Sequence, residues 1–226
     1  MIFADVPNLP WITEGGRWSL RGGATPRGWG PGQLTVDLRH AVGVGKLASV
    51  PAYRITITLQ DVTPQVWRRV VLPGQWHLGQ VHLAVQTAMG WDNSHLHEFT
   101  AAGLRYGVPD PTWGDNEVRR ETTARLHEVV AGPGDSIAYW YDFGDDWHHD
   151  LVVEDVLPPQ RHAQCLAGSG ACPPEDCGGP WGYTDLVAAL GDPAHPEREE
   201  LMTWVPADFD PSAFDADGVD ARLRSL

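Results

Sequence analysis

From Tyr53 the chain alternates. YRITITLQ places Tyr53, Ile55, Ile57 and Leu59 on one face and Arg54, Thr56, Thr58 and Gln60 on the other. Period two with one apolar face predicts a half-buried strand. DVTPQ turns, VWRRVVL (66–72) reads as its antiparallel partner, and Pro73-Gly74 closes the hairpin. The period then lengthens. Over 78–90, Leu78, Val81, Val85, Ala88 and Met89 share one helical face, and Gly90 suits the position just past the helix end.

Two short strands are expected around Ala102-Gly103 within 95–107, then a loop over 109–117. Residues 136–143 and 147–157 read as strands joined by a turn at GDD. Residues 158–182, rich in Pro, Cys and Gly, read as loop. Short helices are expected over 183–190, 196–205 and 217–226, separated by Pro and Asp stops. This order predicts an α+β fold, a mainly antiparallel sheet packed with several short helices. Residues 1–50 hold nine Gly, four Pro and three Trp without a sustained period. They predict an irregular Gly/Pro/Trp-rich N-terminal arm or small extension, with the main domain over 51–226.

Charge changes the picture. The chain carries a formal net charge of −14, and it is unevenly placed. Residues 1–53 hold five basic and three acidic side chains, and the remaining 173 hold eleven and 27. Nucleic-acid affinity comes largely from cations that neutralise phosphates, so DNA is disfavoured as a partner. No run is long and apolar enough for a membrane helix, and the first residues lack a basic-then-apolar leader. The cytoplasm is the expected compartment.

Candidate chemistry centres on YWYDFGDDWHHD, 139–150, with four Asp, two His and five aromatics. Asp142-Phe143-Gly144 matches the kinase magnesium triplet by chance: no HRD motif accompanies it, and Lys46 is the single lysine. GVGKL also fails as a phosphate loop, since Leu47 stands where Ser or Thr would hold magnesium. Plain hairpin chemistry accounts for much of the stretch. The functional expectation is that Asp142, Asp145 and His149 leave the sheet edge together. They would meet HLHE, with His95 and His97 on one strand face and Glu98 beside them. Trp147 would wall this polar site, and Glu175 and Asp176 of PPEDCGG would point toward it. Imidazole with carboxylate suits zinc, manganese or iron.

Cys165, Cys172 and Cys177 are spaced C-x6-C-x4-C, unlike a standard finger or ribbon. Completed by a histidine such as His162 or His195, they would hold a structural zinc. Reduced cysteines packed in an irregular loop are the alternative.

Taken in order, YRITITLQDVTPQVWRRVVLP, LGQVHLAVQTAMGWDNSHLHEF, YWYDFGDDWHHDLVVE and CLAGSGACPPEDCGGPWGY resemble the plasmid pRiA4b ORF-3-like family, whose members are often labelled TnpR-like passenger proteins of insertion elements. The resemblance implies a compact α+β fold and a plasmid or mobile-element setting. It places Trp67-Arg68, Gly90-Trp91, the His95-x-His97-x-Phe99 run, the run from Asp142 to His149, and Pro173 to Gly179 on family motifs. A serine-recombinase mechanism would need a nucleophilic Ser among arginines and a basic helix-turn-helix, and neither is found. Three functions are therefore weighed: an accessory or interaction domain with a protein partner and a zinc-held loop; a metal-dependent hydrolase or nuclease; and a DNA-binding accessory factor. In the hydrolase, His95, His97, Asp142, Asp145 and His149 would be ligands and Glu98, Asp146 or Glu175 the base.

Overall fold

The computed structural model describes the backbone of residues 11–14 and 17–20 and all of residues 49–109 and 117–226. The chain divides into two units, Met1–Leu47 and Ala48–Leu226. In the first, β1 (Trp11–Glu14) and β2 (Arg17–Leu20) form an antiparallel hairpin. That is regular pairing where composition predicts an irregular arm. The rest of the predicted arm, and most of the loop expected over 109–117, lie outside the described residues.

The second unit is an α+β domain. Its strands are β3 (Ala52–Leu59), β4 (Trp67–Pro73), β5 (His97–Ala101), β6 (Leu104–Gly107), β7 (Arg119–Arg120), β8 (Ser136–Tyr141), β9 (Trp147–Leu157) and β10 (Gln164–Ser169). They form one sheet in the order β10-β4-β3-β9-β8-β5-β6-β7. Every pairing is antiparallel except β6 with β7. Five short helices accompany it: α1 (Leu78–Met89), α2 (Leu126–Val129), α3 (Gly179–Gly191), α4 (Arg198–Leu201) and α5 (Ala216–Leu223). None of the described helices is long and apolar enough to cross a membrane.

The alternating pattern becomes the core. Tyr53, Ile55, Ile57 and Leu59 are buried and cluster with Leu78, Val81, Val85 and Ala88 of α1, Tyr183 and Leu186 of α3, and Val219 and Leu223 of α5. On the other face, Glu154 accepts a fork from Arg69 at 2.7–2.9 Å and a bond from Thr56. This cross-strand ladder is half-exposed, so it sets register more than it stabilises.

Two expectations are corrected. The segment 158–182 is not all loop: Gln164–Ser169 forms β10 on the edge of β4, with a bulge between Cys165 and Ala167. The strands β8 and β9 are not at the sheet edge, because β9 pairs with β3 and β8 with β5. Their turn leaves the end of a central hairpin.

Helix α1 is bounded at both ends by side chains. His77 caps its start, accepting from the Gln80 N–H at 3.2 Å while Gln80 accepts from the His77 N–H. Gly90, at φ 118°, ends it in the left-handed region. The last carbonyls go to a buried cation. Arg68 is 1% exposed. It donates to Ala88 O, Trp67 O and Ser169 O at 2.8 Å and to Met89 O at 3.5 Å. Its guanidinium lies 4.0 Å from the Phe214 ring centre. Gly168, opposite Arg68 in β10, leaves room for that ring, since a Cβ there would sit 2.4 Å from it.

Arg68→Met should lower the unfolding free energy by about 3 kcal/mol or more, because each buried carbonyl left without a donor costs about 1–3 kcal/mol. Urea denaturation measures this. A loss under about 1 kcal/mol would show that the clamp is not structural.

Candidate functional site

Three backbone turns meet beyond the ends of β8 and β9. In the first, Asp142 takes φ 52° and Asp146 φ 62°. Aspartate tolerates this region because its side chain bonds its own backbone. Accordingly, Asp142 Oδ1 accepts from Gly144 N–H at 2.9 Å, and Asp142 O accepts from Asp146 N–H at 2.7 Å. The kinase-like triplet is thus a turn held by Asp142.

The second turn is Pro173–Gly179. Asp176 stands at φ 55° and Gly179 at φ 68°. A Cβ on Gly179 would lie 2.2 Å from Asp145 O, so glycine permits the two turns to touch. Asp145 Oδ2 also accepts from Gly178 N–H at 3.2 Å. The third runs on from α1: Trp91 Nε1 donates to Pro173 O at 3.1 Å, and Asp92 N–H donates to Glu175 Oε1 at 3.1 Å.

Where they converge, His95 lies among carboxylates. Its Nδ1 is 3.7 Å from Asp142 Oδ2, and its Nε2 is 3.3 Å from Asp176 Oδ1 and 3.9 Å from Glu175 Oε2. His95, Asp142 and Asp176 are the one group of three or more His, Cys, Asp or Glu among the described residues whose ligand atoms all lie within 4.8 Å of one another. Two ligands of one ion at about 2.2 Å can be at most roughly 4.4 Å apart, so modest closure would suffice. Asp142 is 6% exposed, with Oδ1 taken up by the Gly144 N–H and Oδ2 turned to the imidazole. His95 Nε2 and Glu175 Oε2 are buried atoms without a hydrogen-bond partner. Burial pushes the Glu175 carboxyl above its ordinary range, against the bond from Tyr141 O–H at 2.9 Å.

The other expected site residues lie elsewhere. His97 begins β5 and His95 precedes it, so the two do not form a strand face with one set of partners. His97 Nε2 pairs with Glu121 Oε2 at 2.6 Å. Glu98 takes a fork from Arg105 at 2.7–2.8 Å. Asp145 holds the second turn, and Trp147 is a wholly buried core residue. His149 is wholly buried too, with Nδ1 3.3 Å from Tyr139 O. The five-ligand set of the hydrolase expectation is not assembled.

The thiols do not converge on one point. All three cysteines are free and belong to no group of candidate ligand atoms among the described residues. Cys165 lies on β10, its Sγ 3.7 Å from Ala167 O. Burial drives the Cys172 thiol far up and the Cys177 thiol to about 12, so without a metal both are protonated near neutral pH.

The sequence reading missed a second polar cluster. His82, on α1, stacks on His97 with ring centres 3.4 Å apart and planes within 4°. Its Nε2 is 2.6 Å from Asn93 Oδ1 and its Nδ1 2.8 Å from Tyr139 Oη, which also accepts from Gln86 Nε2 at 2.9 Å. Every donor is satisfied if Nε2 carries the proton and Tyr139 donates to Nδ1. Burial and the neighbouring His97 lower His82 to about 4. The signal was the pair His82 and Gln86, four apart beside the apolar stripe of α1.

A family model described as plasmid pRiA4b ORF-3-like protein matches residues 51–218. An uncharacterised protein, y4hQ of Sinorhizobium fredii (strain NBRC 101917 / NGR234), is 41% identical over 163 residues, 71% of this chain and 84% of its own. The crystal structure of a protein of unknown function, MM3350 from Methanosarcina mazei Go1, is similar with a TM-score of 0.67 and 32% identity. That match covers 74% of this chain and 96% of the other.

Acid should loosen the fold before most carboxylates titrate. His82 is lowered to about 4 and His149, by burial, to about 3, both from 6.5. The unfolded chain therefore takes these protons first, and stability is lost as pH falls below 6.5 toward those values. Glu175, raised by burial, works in the opposite sense, one carboxyl against two imidazoles. The urea midpoint should drop between about pH 7 and about pH 5, and less steeply in His82→Gln. A midpoint that holds or rises would refute this.

Proposed function

The chain belongs to the plasmid pRiA4b ORF-3-like family, and on that premise we propose that it is an interaction domain whose turns are locked by a divalent cation. The observation that carries this is the convergence of His95, Asp142 and Asp176 from three separate segments, with Glu175 Oε2 3.9 Å from the imidazole. One imidazole with carboxylates favours manganese, iron or zinc over a soft thiolate site. The cation would tie the β8–β9 turn to the turn before α3 and to the exit of α1. The free cysteines fit a reducing compartment, the cytoplasm. An accessory role beside a plasmid or mobile element follows the family setting.

One observation favours a second reading, a cation-dependent hydrolase. Glu175 Oε2 is buried without a hydrogen-bond partner, 3.9 Å from His95 Nε2, and burial raises its carboxyl, the direction a general base needs. In that case Glu175→Gln would abolish a turnover that His95→Ala also abolishes, while the fold stays intact.

Elemental analysis of tag-free protein purified without chelator tests the cation. About one manganese, iron or zinc per chain is expected, lost in His95→Ala and kept in Cys172→Ser. Chelator should lower the melting temperature of the wild type and leave His95→Ala unmoved. No metal, with no effect of chelator, would end the cation reading.

A further inference from the structure

The same turns wall a cleft of about 700 Å3 on the acidic surface. The β3–β4 turn contributes Asp61, the β8–β9 turn Asp145 and Asp146, and the first turn of α3 Trp181. His148 is the one other ionisable group in the wall among the described residues, and its Nε2 is 3.0 Å from Asp146 Oδ1. Among the described residues, no Lys or Arg lines the cleft.

Trp181 is the feature that core packing does not explain. It is 85% exposed, the most exposed large hydrophobic side chain among the described residues. Helix α3 is anchored by Tyr183, Leu186 and Ala189, which are buried. The indole therefore contributes little to the fold and stands on the rim of the cleft. An indole face attracts cations, best of all a planar guanidinium, and exposed Trp is enriched where partners bind. Residues 54–226 carry 27 acidic and eleven basic side chains, a field that draws a positive segment in and turns away phosphate backbones.

We infer that this cleft docks an arginine-bearing segment of a partner protein, with a guanidinium over Trp181 and against Asp61, Asp145 and Asp146. The inference names the partner class of the interaction domain proposed above and rests on that reading, though not on its cation. Carboxylates on two turns supply the charge, and the indole supplies a flat apolar seat that a diffuse negative surface lacks.

Fluorescence anisotropy with the full chain tests it, using a labelled Gly/Ser-spaced peptide with two arginines and a twin with glutamates in their place. The arginine peptide should bind and its twin should not. Trp181→Ala, which leaves the net charge unchanged, should weaken binding about tenfold. Asp61→Asn should weaken it and reduce its salt dependence; Asp61 stands at φ 58°, a backbone that Asn tolerates. Trp204→Ala, at a half-exposed tryptophan that does not line the cleft, should change nothing. Failure of the arginine peptide to bind overturns the inference. So does equal binding by Trp181→Ala, which would reduce the attraction to diffuse charge. Peptide bound by a chain without metal upholds the cleft and removes only the cation. Metal bound by a chain that ignores the peptide does the reverse.

Discussion

The guanidinium of Arg68 bonds four backbone carbonyls and, among the described residues, meets no carboxylate at hydrogen-bond distance. Burial lowers its pKa to about 10, still high enough to keep it charged near neutral pH. The cation is balanced by dipoles: the C-terminal carbonyls of α1 carry partial negative charge, and Arg68 neutralises them from within the core. This fixes the direction in which the chain leaves α1. Gly90 turns it, Trp91 reaches Pro173 O, and the Asp92 amide reaches Glu175. The position of His95 against Asp142 and Asp176 therefore depends on a residue that touches none of them.

The sheet does the rest. Because β8 and β9 are central, their turn projects from the most constrained part of the domain, while the ion ladder of Arg54, Arg69 and Glu154 holds register on the outer face. A turn on such a support can keep two aspartates in the left-handed region and press its backbone against Gly179. Rigid support beneath strained turns is what a binding surface requires. Here it serves both the His/Asp group and the tryptophan-rimmed cleft.

Much of the fold was legible where one period dominates. Strands β3, β4, β8 and β9 and helix α1 follow from alternation or a helical stripe. Strand β10 does not, because Gln164–Ser169 includes a bulge and a glycine, and its strand character comes from pairing with β4. The site was half legible. His95, Asp142, Glu175 and Asp176 stood out by residue type, and the fixed order of the family motifs grouped them. But spacing of two between His95 and His97 suggested one face, and the strand starts only at His97. Three cysteines within thirteen residues suggested a metal loop; among the described residues no group of three ligand atoms within 4.8 Å includes one of them. His82 and Gln86 were hidden, since a buried polar network on a helix flank looks like the helix's solvent side until its partners are known.

The most direct measurement is amide hydrogen exchange in Arg68→Lys, which keeps the charge but exchanges a planar fork for a point ammonium. Gly90 and Asp92 should lose protection while Ile57 and Leu151, paired at the sheet centre, keep theirs. Unchanged protection at Gly90 and Asp92, or an equal loss at all four amides, would contradict the claim that this one cation positions the candidate site.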